Sequence, residues 1–306
     1  MSGSERCAPA AERRGDQLYG TAAPARFFVL VEQPGAWGRK AVDNWRQEHP
    51  SRTALLARTH TAGGRLLLIR RLHREPGDPR RWALVDARPG AETSRWGTFD
   101  EDGDLDALDP RHPVGEPSDD PVLLVCTHGR RDVCCAQRGW PVAAALTEAF
   151  PGWVWQCSHV GGDRFAANVV ILPQGLYYGR LTRERAAGVV ERHLDGRVTV
   201  DLLRGRSCFV PAVQAAQHFA RAELGIDALN TLGPLEVDRR GDGAVAVRLA
   251  GDDVEVRVVL AEGTSAPIER LTCGATEATS VRTWAKLELT TATLRSAAGG
   301  SEVSCS

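Results

Sequence analysis

Four of the eight cysteines fall between positions 126 and 157, and two of them, Cys126 and Cys135, stand nine residues apart. A second pair of metal-competent side chains, His159 and Asp163, follows four residues apart around Val160-Gly161-Gly162. An iron–sulfur cluster needs four ligands from rigid positions, mostly thiolates, and histidine replaces cysteine on one iron in some centres. Cys126 and Cys135 can serve one iron, with His159 and one further ligand on the other. The same Cys/Cys/His/Asp set also suits zinc. Gly161 and Gly162 allow a sharp bend that brings backbone N–H groups close to a ligand. Such amides donate to cluster sulfides and help set the potential. Asn168 is a candidate to brace this loop through its amide, with an ordinary cap or turn role as the alternative.

These side chains need elements that hold them. The strand Pro121–Val125 runs into Cys126, and open α/β sheets place their sites at the carboxyl ends of strands. The sequence predicts a helix over 141–150 with Pro141 in its first turn. It then predicts a strand over 152–157, and two strands, 169–172 and 176–179, about Pro173-Gln174-Gly175. A helix follows, simply capped by Thr182 and ending before Gly196, and another lies near 210–224. Strand–helix–strand, hairpin, helix is the order of a thioredoxin-like domain, expected over 121–224. Before it, 21–110 reads as an N-terminal α/β region opening on the strand Phe27–Val31. The acidic, proline-rich stretch Asp100–Pro121 reads as a linker or long surface loop. After it, 235–290 reads as a β-rich region. There Ala244–Leu249 and Val254–Leu260 form a hairpin, and Arg282–Leu289 adds a third strand. Residues 1–20 and 291–306 read as a disordered lead and tail.

Composition narrows the function classes. Lys plus Arg number 38 against 39 Asp plus Glu, a net charge of −1, so no global field captures nucleic acid. Eight Trp beside seven Phe and three Tyr read as core and turn anchors, not as a base-stacking platform. No run approaches the ~20 apolar residues of a membrane span, and Met1–Gln17 lacks the apolar core of a signal peptide. A cytoplasmic address is expected, where clustered cysteines point to metal or redox chemistry before disulfides. No Walker motif, no G-x-S-x-G and no G-x-G-x-x-G after a strand is present. There is also no Cys-x-x-Cys at a strand-to-helix turn, where thiol redox chemistry needs a low-pKa thiolate. Of the remaining groups, Cys7 and Cys305 read as bystanders in polar termini. Cys134 reads as a packed thiol, and Cys157, Cys208 and Cys273 as structural. His128 is expected beside the site or exposed, and not as a ligand. Arg130, Arg131 and Arg164 read as solvated, with compensation of an anionic site or docking of an acidic partner as the functional alternative.

The stretch Cys126-Thr-His-Gly-Arg-Arg-Asp-Val-Cys-Cys135 resembles the first signature of the sucrase/ferredoxin-like family. Trp155-Gln-Cys-Ser-His159-Val-Gly-Gly-Asp163-Arg-Phe-Ala-Ala-Asn168 resembles its second. Gly20-Thr-Ala, Glu32-Gln-Pro-Gly-Ala-Trp-Gly38, Leu172-Pro-Gln-Gly-Leu-Tyr-Tyr-Gly-Arg180 and Arg204-Gly-Arg-Ser-Cys208 resemble further blocks, so the likeness spans roughly 18–224. The resemblance implies a thioredoxin-like fold carrying a [2Fe–2S] cluster, held in fungal and plant relatives by two cysteines and a His-x-x-x-His pair. Carried over, these are Cys126, Cys135 and His159, with Asp163 where the second histidine would stand. Three outcomes follow: Asp163 ligates iron, or Cys157, His128 or Cys134 replaces the missing histidine, or the cluster is labile or lost. A carboxylate ligand would lower the potential.

The expected function is a soluble [2Fe–2S] electron-transfer or redox protein, a carrier more than a catalyst, working with an unidentified reductase or oxidase. The alternatives are a zinc-stabilised or metal-free thioredoxin-like interaction module and a thiol-based redox sensor. No carboxylate pair supports sucrase activity.

Overall fold

The computed structural model describes residues 5–241 and 243–293. Ten strands form one sheet: β1 (Phe27–Glu32), β2 (Gly64–Arg70), β3 (Arg80–Asp86), β4 (Thr93–Phe99), β5 (Glu116–Ser118), β6 (Val122–Cys126), β7 (Val154–Cys157), β8 (Val169–Leu172), β9 (Leu176–Tyr178) and β10 (Leu203–Arg206). Their spatial order is β10-β9-β8-β6-β7-β2-β1-β3-β4-β5. Helices α1 (Cys7–Arg14), α2 (Ala41–Gln47), α3 (Pro50–Thr61), α4 (Val133–Ala149), α5 (Arg183–Leu194) and α6 (Pro211–Leu224) accompany it. A second, antiparallel sheet follows, of β11 (Gly233–Arg239), β12 (Ala244–Ala250), β13 (Val254–Thr264) and β14 (Arg282–Thr293).

The large sheet repeats one topology twice. In the second half β6 and β7 are parallel and joined through α4, β8 runs antiparallel to β6, and β9 antiparallel to β8. That is the thioredoxin-like order. In the first half β1 and β2 are parallel and joined through α2 and α3, with β3 antiparallel to β1 and β4 antiparallel to β3. The two units meet edge to edge through the antiparallel β2–β7 pair, in which Ile69 lies opposite Cys157. Such an arrangement closes two apolar edges that would otherwise template aggregation.

The central strands are apolar on both faces, as strands covered on both sides must be. Phe28, Leu30, Leu67 and Ile69 share one core with Leu124, Cys126, Trp155 and Cys157, so this face is continuous across the two halves. The alternate residues turn to the helices: Val29, Val31, Leu66 and Leu68 pack with Trp45, Leu55 and Leu56. Leu123, Val125, Val169 and Ile171 pack with Val142, Leu146, Val189 and Val190. Helix α6 buries Val213, Ala216 and Ala220 against Val245, Val247, Val258 and Leu260 of the second sheet. No described helix is long and apolar enough to cross a membrane.

Several expectations need correction. Within the lead expected to be disordered, α1 forms and buries Cys7, Ala8 and Ala11, because its alanine face packs on the second half. The helix expected over 141–150 starts at Val133 and contains Pro141 in its interior. Asp132 caps it, the carboxylate accepting from the Cys134 N–H, a signal that outweighs the proline. Thr182 precedes α5 but gives no side-chain cap. The acidic stretch 100–121 holds a 3-10 turn over Asp102–Ala107 that buries Leu105, and the edge strand β5. The hairpin about residues 250–253 is present as β12–β13, and β14 extends to Thr293; β11 has no counterpart among the expected strands. The remainder of the expected tail, with Cys305, lies outside the described residues.

Candidate metal centre

Strand β6 delivers Cys126 to the carboxyl edge of the sheet, buried at 1% exposure. The chain then turns through Thr127–Arg131, where the His128 carbonyl accepts from the Arg131 and Asp132 N–H groups. The first turn of α4 brings Cys135 back toward Cys126. This close return depends on Gly139, because a Cβ there would lie 2.3 Å from the Cys126 carbonyl oxygen. Ligand atoms of Cys126, Cys135 and His159 all lie within 4.8 Å of one another.

His159 and Asp163 come from the loop after β7. The Asp163 Oδ1 atom accepts from Cys135 Sγ at 3.2 Å and lies 3.0 Å from His159 Nδ1. That nitrogen is buried and, despite the short distance, makes no contact of hydrogen-bond geometry. The His159 side chain is 22% exposed and that of Asp163 3%, so histidine forms the solvent side of the site. Gly161 and Gly162 both take positive φ, 90° and 78°, and a Cβ on Gly162 would meet the Arg204 guanidinium at 2.7 Å.

The loop is pinned from three directions. Arg204, 2% exposed, donates to Gly161 O and to Asn168 Oδ1, each at 2.8 Å, and to the hydroxyl and carbonyl of Thr21. Asn168 donates its amide to Gly162 O at 2.9 Å, and its own carbonyl receives the Cys126 N–H at 3.0 Å. From the first half of the sheet, Arg65 donates to His159 O and Val160 O. Beside His159 opens a groove of about 230 Å³ lined by Arg39, Lys40, Asp43, His128, Arg131 and Ser158.

Electrostatics separate the two thiols. The side-chain hydrogen bond between Cys126 and Cys135 holds the Cys126 sulfur well below the ordinary thiol range, helped by His159 and opposed by burial. Cys135 is pushed up by the same hydrogen bond, by burial and by the charges of Cys126 and Asp163. Burial raises Asp163, and the neighbouring His159 opposes this. Arg204 is lowered to about 10, chiefly by burial, and so remains a cation at neutral pH.

The structure therefore brings together Cys126, Cys135, His159 and Asp163, and sets Gly161, Gly162 and Asn168 around them. Cys157 is fully buried and lies beside Cys126 in the β6–β7 register, outside the convergent group. His128 is buried too, its Nε2 2.8 Å from Gly38 O. Arg164 pairs with Asp16, whereas Arg130 and Arg131 are exposed. Cys208 packs in the core shared by α6 and the second sheet. Sequence reasoning missed Gly139, Arg65 and the bracing role of Arg204, whose partners lie far along the chain. It also missed a second convergence, Cys7 with Asp132, Cys134 and Cys273, because Cys7 and Cys273 are separated by 266 positions.

The profile of the sucrase/ferredoxin-like family matches residues 18–205. Among curated proteins the chain is similar to altered inheritance of mitochondria protein 32 of Debaryomyces hansenii. The two are 32% identical over 99 residues, covering 28% of this chain and 35% of that protein. The protein of the same name from Meyerozyma guilliermondii is 31% identical over 97 residues, covering 28% and 34%. The match thus spans about a third of the length of these relatives. Among solved structures, a cysteine-to-serine variant of the thioredoxin-like [2Fe–2S] ferredoxin from Aquifex aeolicus shows 20% identity and a TM-score of 0.25. It covers 27% of this chain and 96% of that one. A second such variant shows 21% identity and a TM-score of 0.24 over the same shares.

Proposed function

The chain belongs to the sucrase/ferredoxin-like family, and from that premise we propose that Cys126, Cys135, His159 and Asp163 hold a [2Fe–2S] cluster for one-electron transfer. The observation that carries this reading is the convergence of Cys126, Cys135 and His159 within 4.8 Å, with the Asp163 carboxylate against two of them. The donor set fits the group: two thiols without a disulfide, and a buried imidazole nitrogen with no hydrogen-bond partner. Arg204 adds a buried cation whose hydrogen bonds go to neutral oxygens, which suits an anionic centre nearby. Asp163 is the best placed fourth ligand, since Cys134 is engaged with Cys273 and His128 with Gly38.

When bound, the cluster would supply one-electron redox chemistry. Cys126 and Cys135 would hold the inner iron, and His159 with Asp163 the outer one, on the solvent side. His159 stands at the groove rimmed by Arg39, Lys40 and Arg131, a cationic approach for an acidic reductase or oxidase. We read the protein as a carrier in the cytoplasm, where thiols stay reduced.

Anaerobic purification from iron-replete cells, with iron and acid-labile sulfide analysis, visible spectra and EPR of the reduced protein, tests this. About two irons and two sulfides per chain are expected, lost in Cys126→Ser and Cys135→Ser. A colourless, iron-free protein would sink the reading. Zinc dependent on Cys126 and Cys135 would make it the interaction module, and a Cys126–Cys135 disulfide would make it a thiol sensor.

A further inference from the structure

We propose that Cys7, Asp132, Cys134 and Cys273 form a second, structural metal site that binds zinc. Their ligand atoms all lie within 4.8 Å of one another, and Cys7, Asp132 and Cys134 are buried. Cys134 Sγ and Cys7 Sγ each lie 3.4 Å from Cys273 Sγ, and both oxygens of Asp132 lie 3.6 Å from Cys7 Sγ. Tetrahedral zinc with Zn–S near ~2.3 Å and Zn–O near ~2.1 Å implies S···S edges of ~3.8 Å and S···O edges of ~3.6 Å. The measured edges therefore match those of a zinc tetrahedron, the two S···S edges slightly contracted. It is not a disulfide, whose sulfurs would be ~2.05 Å apart.

Simple packing of thiols beside a helix cap accounts for less. Asp132 is 3% exposed, and its oxygens accept from the backbone N–H groups of Cys134 at 2.8 Å and Cys273 at 2.6 Å. Among the described residues no Lys, Arg or His forms an ion pair with it. A buried carboxylate facing three thiols lacks the cation that would compensate it, and a divalent metal supplies one. Two of the sulfurs already receive backbone donors: the Cys7 N–H donates to Cys273 Sγ at 3.4 Å, and the Ala8 N–H donates to Cys134. Three soft thiolates and one carboxylate in a closed, four-ligand set select zinc and leave no open position for catalysis.

The site would join three remote segments. Cys7 opens α1, Asp132 and Cys134 begin α4, and Cys273 lies in the connection between β13 and β14. Cys134 immediately precedes Cys135, so one helical turn carries a ligand to each centre. The zinc would fix the turn from which Cys135 reaches Cys126.

Elemental analysis of the protein purified anaerobically from zinc- and iron-replete cells tests the site directly. About one tightly held zinc per chain is expected, retained in Cys126→Ser and lost in Cys7→Ser and in Cys273→Ser while iron persists. Cysteine 273 is half-buried in a connection, so its serine variant, verified by circular dichroism, guards against simple misfolding. Cobalt added to the reduced, metal-stripped wild type should give thiolate charge-transfer and tetrahedral d–d bands that Cys273→Ser abolishes. The proposal fails if the wild type, reduced and supplied with zinc, holds none. It fails equally if zinc is lost with Cys126→Ser and indifferent to Cys7→Ser and Cys273→Ser. A disulfide among Cys7, Cys134 and Cys273 in anaerobically alkylated protein would also overturn it.

Discussion

At the scale of single residues, the centre divides into a thiolate side and a carboxylate side. Cys126 and Cys135 sit on the end of a strand and the first turn of a helix, the stiffest parts of the site. Asp163 sits on a glycine loop and is held by Cys135 and His159. Replacing an anionic carboxylate by neutral imidazole removes charge that favours oxidised iron. Asp163→His is expected to retain the cluster and raise its potential, read by EPR-monitored redox titration. Unchanged potential and spectrum in Asp163→Ala would remove Asp163 from the ligand set. Arg204 is the residue that holds the loop, and Arg204→Met would leave Gly161 O, Thr21 O and Asn168 Oδ1 without their donor. Removing partners of buried polar groups costs ~1–3 kcal/mol each. Guanidinium denaturation should therefore show a loss of at least about 3 kcal/mol, accompanied by faster loss of iron.

At the scale of elements, the approach of α4 to β6 sets the distance between the two thiols. Gly139 is the contact point, and its would-be Cβ meets a backbone carbonyl, which cannot swing aside as a flexible side chain can. Gly139→Ala is expected to destabilise by ~1–3 kcal/mol, the usual cost of overpacking, and to reduce cluster occupancy. Gly188 is the contrasting case, exposed within α5 with open space where a Cβ would go. Gly188→Ala should stabilise by up to ~1 kcal/mol through helix propensity alone. Thermal melts of the two variants side by side separate close packing from intrinsic preference. Within the same elements, Cys126, Cys135, His159 and Asp163 were legible from residue type and spacing, since their positions are local to one strand–helix–strand–loop run. Gly139 was not legible, because it precedes the expected helix start at 141 and gains meaning only when α4 is seen to begin at Val133 and the backbone it faces is known.

At the scale of the whole molecule, the first half is a structural partner of the second. It repeats the thioredoxin-like strand order, shares a continuous core face, and supplies Arg65 and Gly38 to the centre. A fragment beginning near residue 115 would expose the β7 edge and half of that core. It should aggregate or lack cooperative unfolding by circular dichroism, whereas the whole chain unfolds with the two halves together. Stability should also fall with acid. Burial lowers His193 and His218 from an ordinary 6.5 to about 4, so between these values the unfolded chain binds more protons than the folded one. The stability these two groups contribute is fully present above pH 6.5 and lost as pH falls toward 4. Melting temperatures across that window check this, with His193→Gln expected to flatten the slope.

Local pattern alone carries the second unit's succession of strands and helices, the β12–β13 hairpin and the grouping of chemical side chains from Cys126 to Asp163. Each of these is written in periodicity, turn residues or short spacing. That the first half repeats the second emerges only on folding, because strand order in a sheet depends on which edges pair and no local pattern records that. Only the tertiary structure gathered Cys7, Cys134 and Cys273. Loop closure over more than a hundred residues leaves no trace in spacing, and α1, α4 and the β13–β14 connection meet only after both sheets have packed.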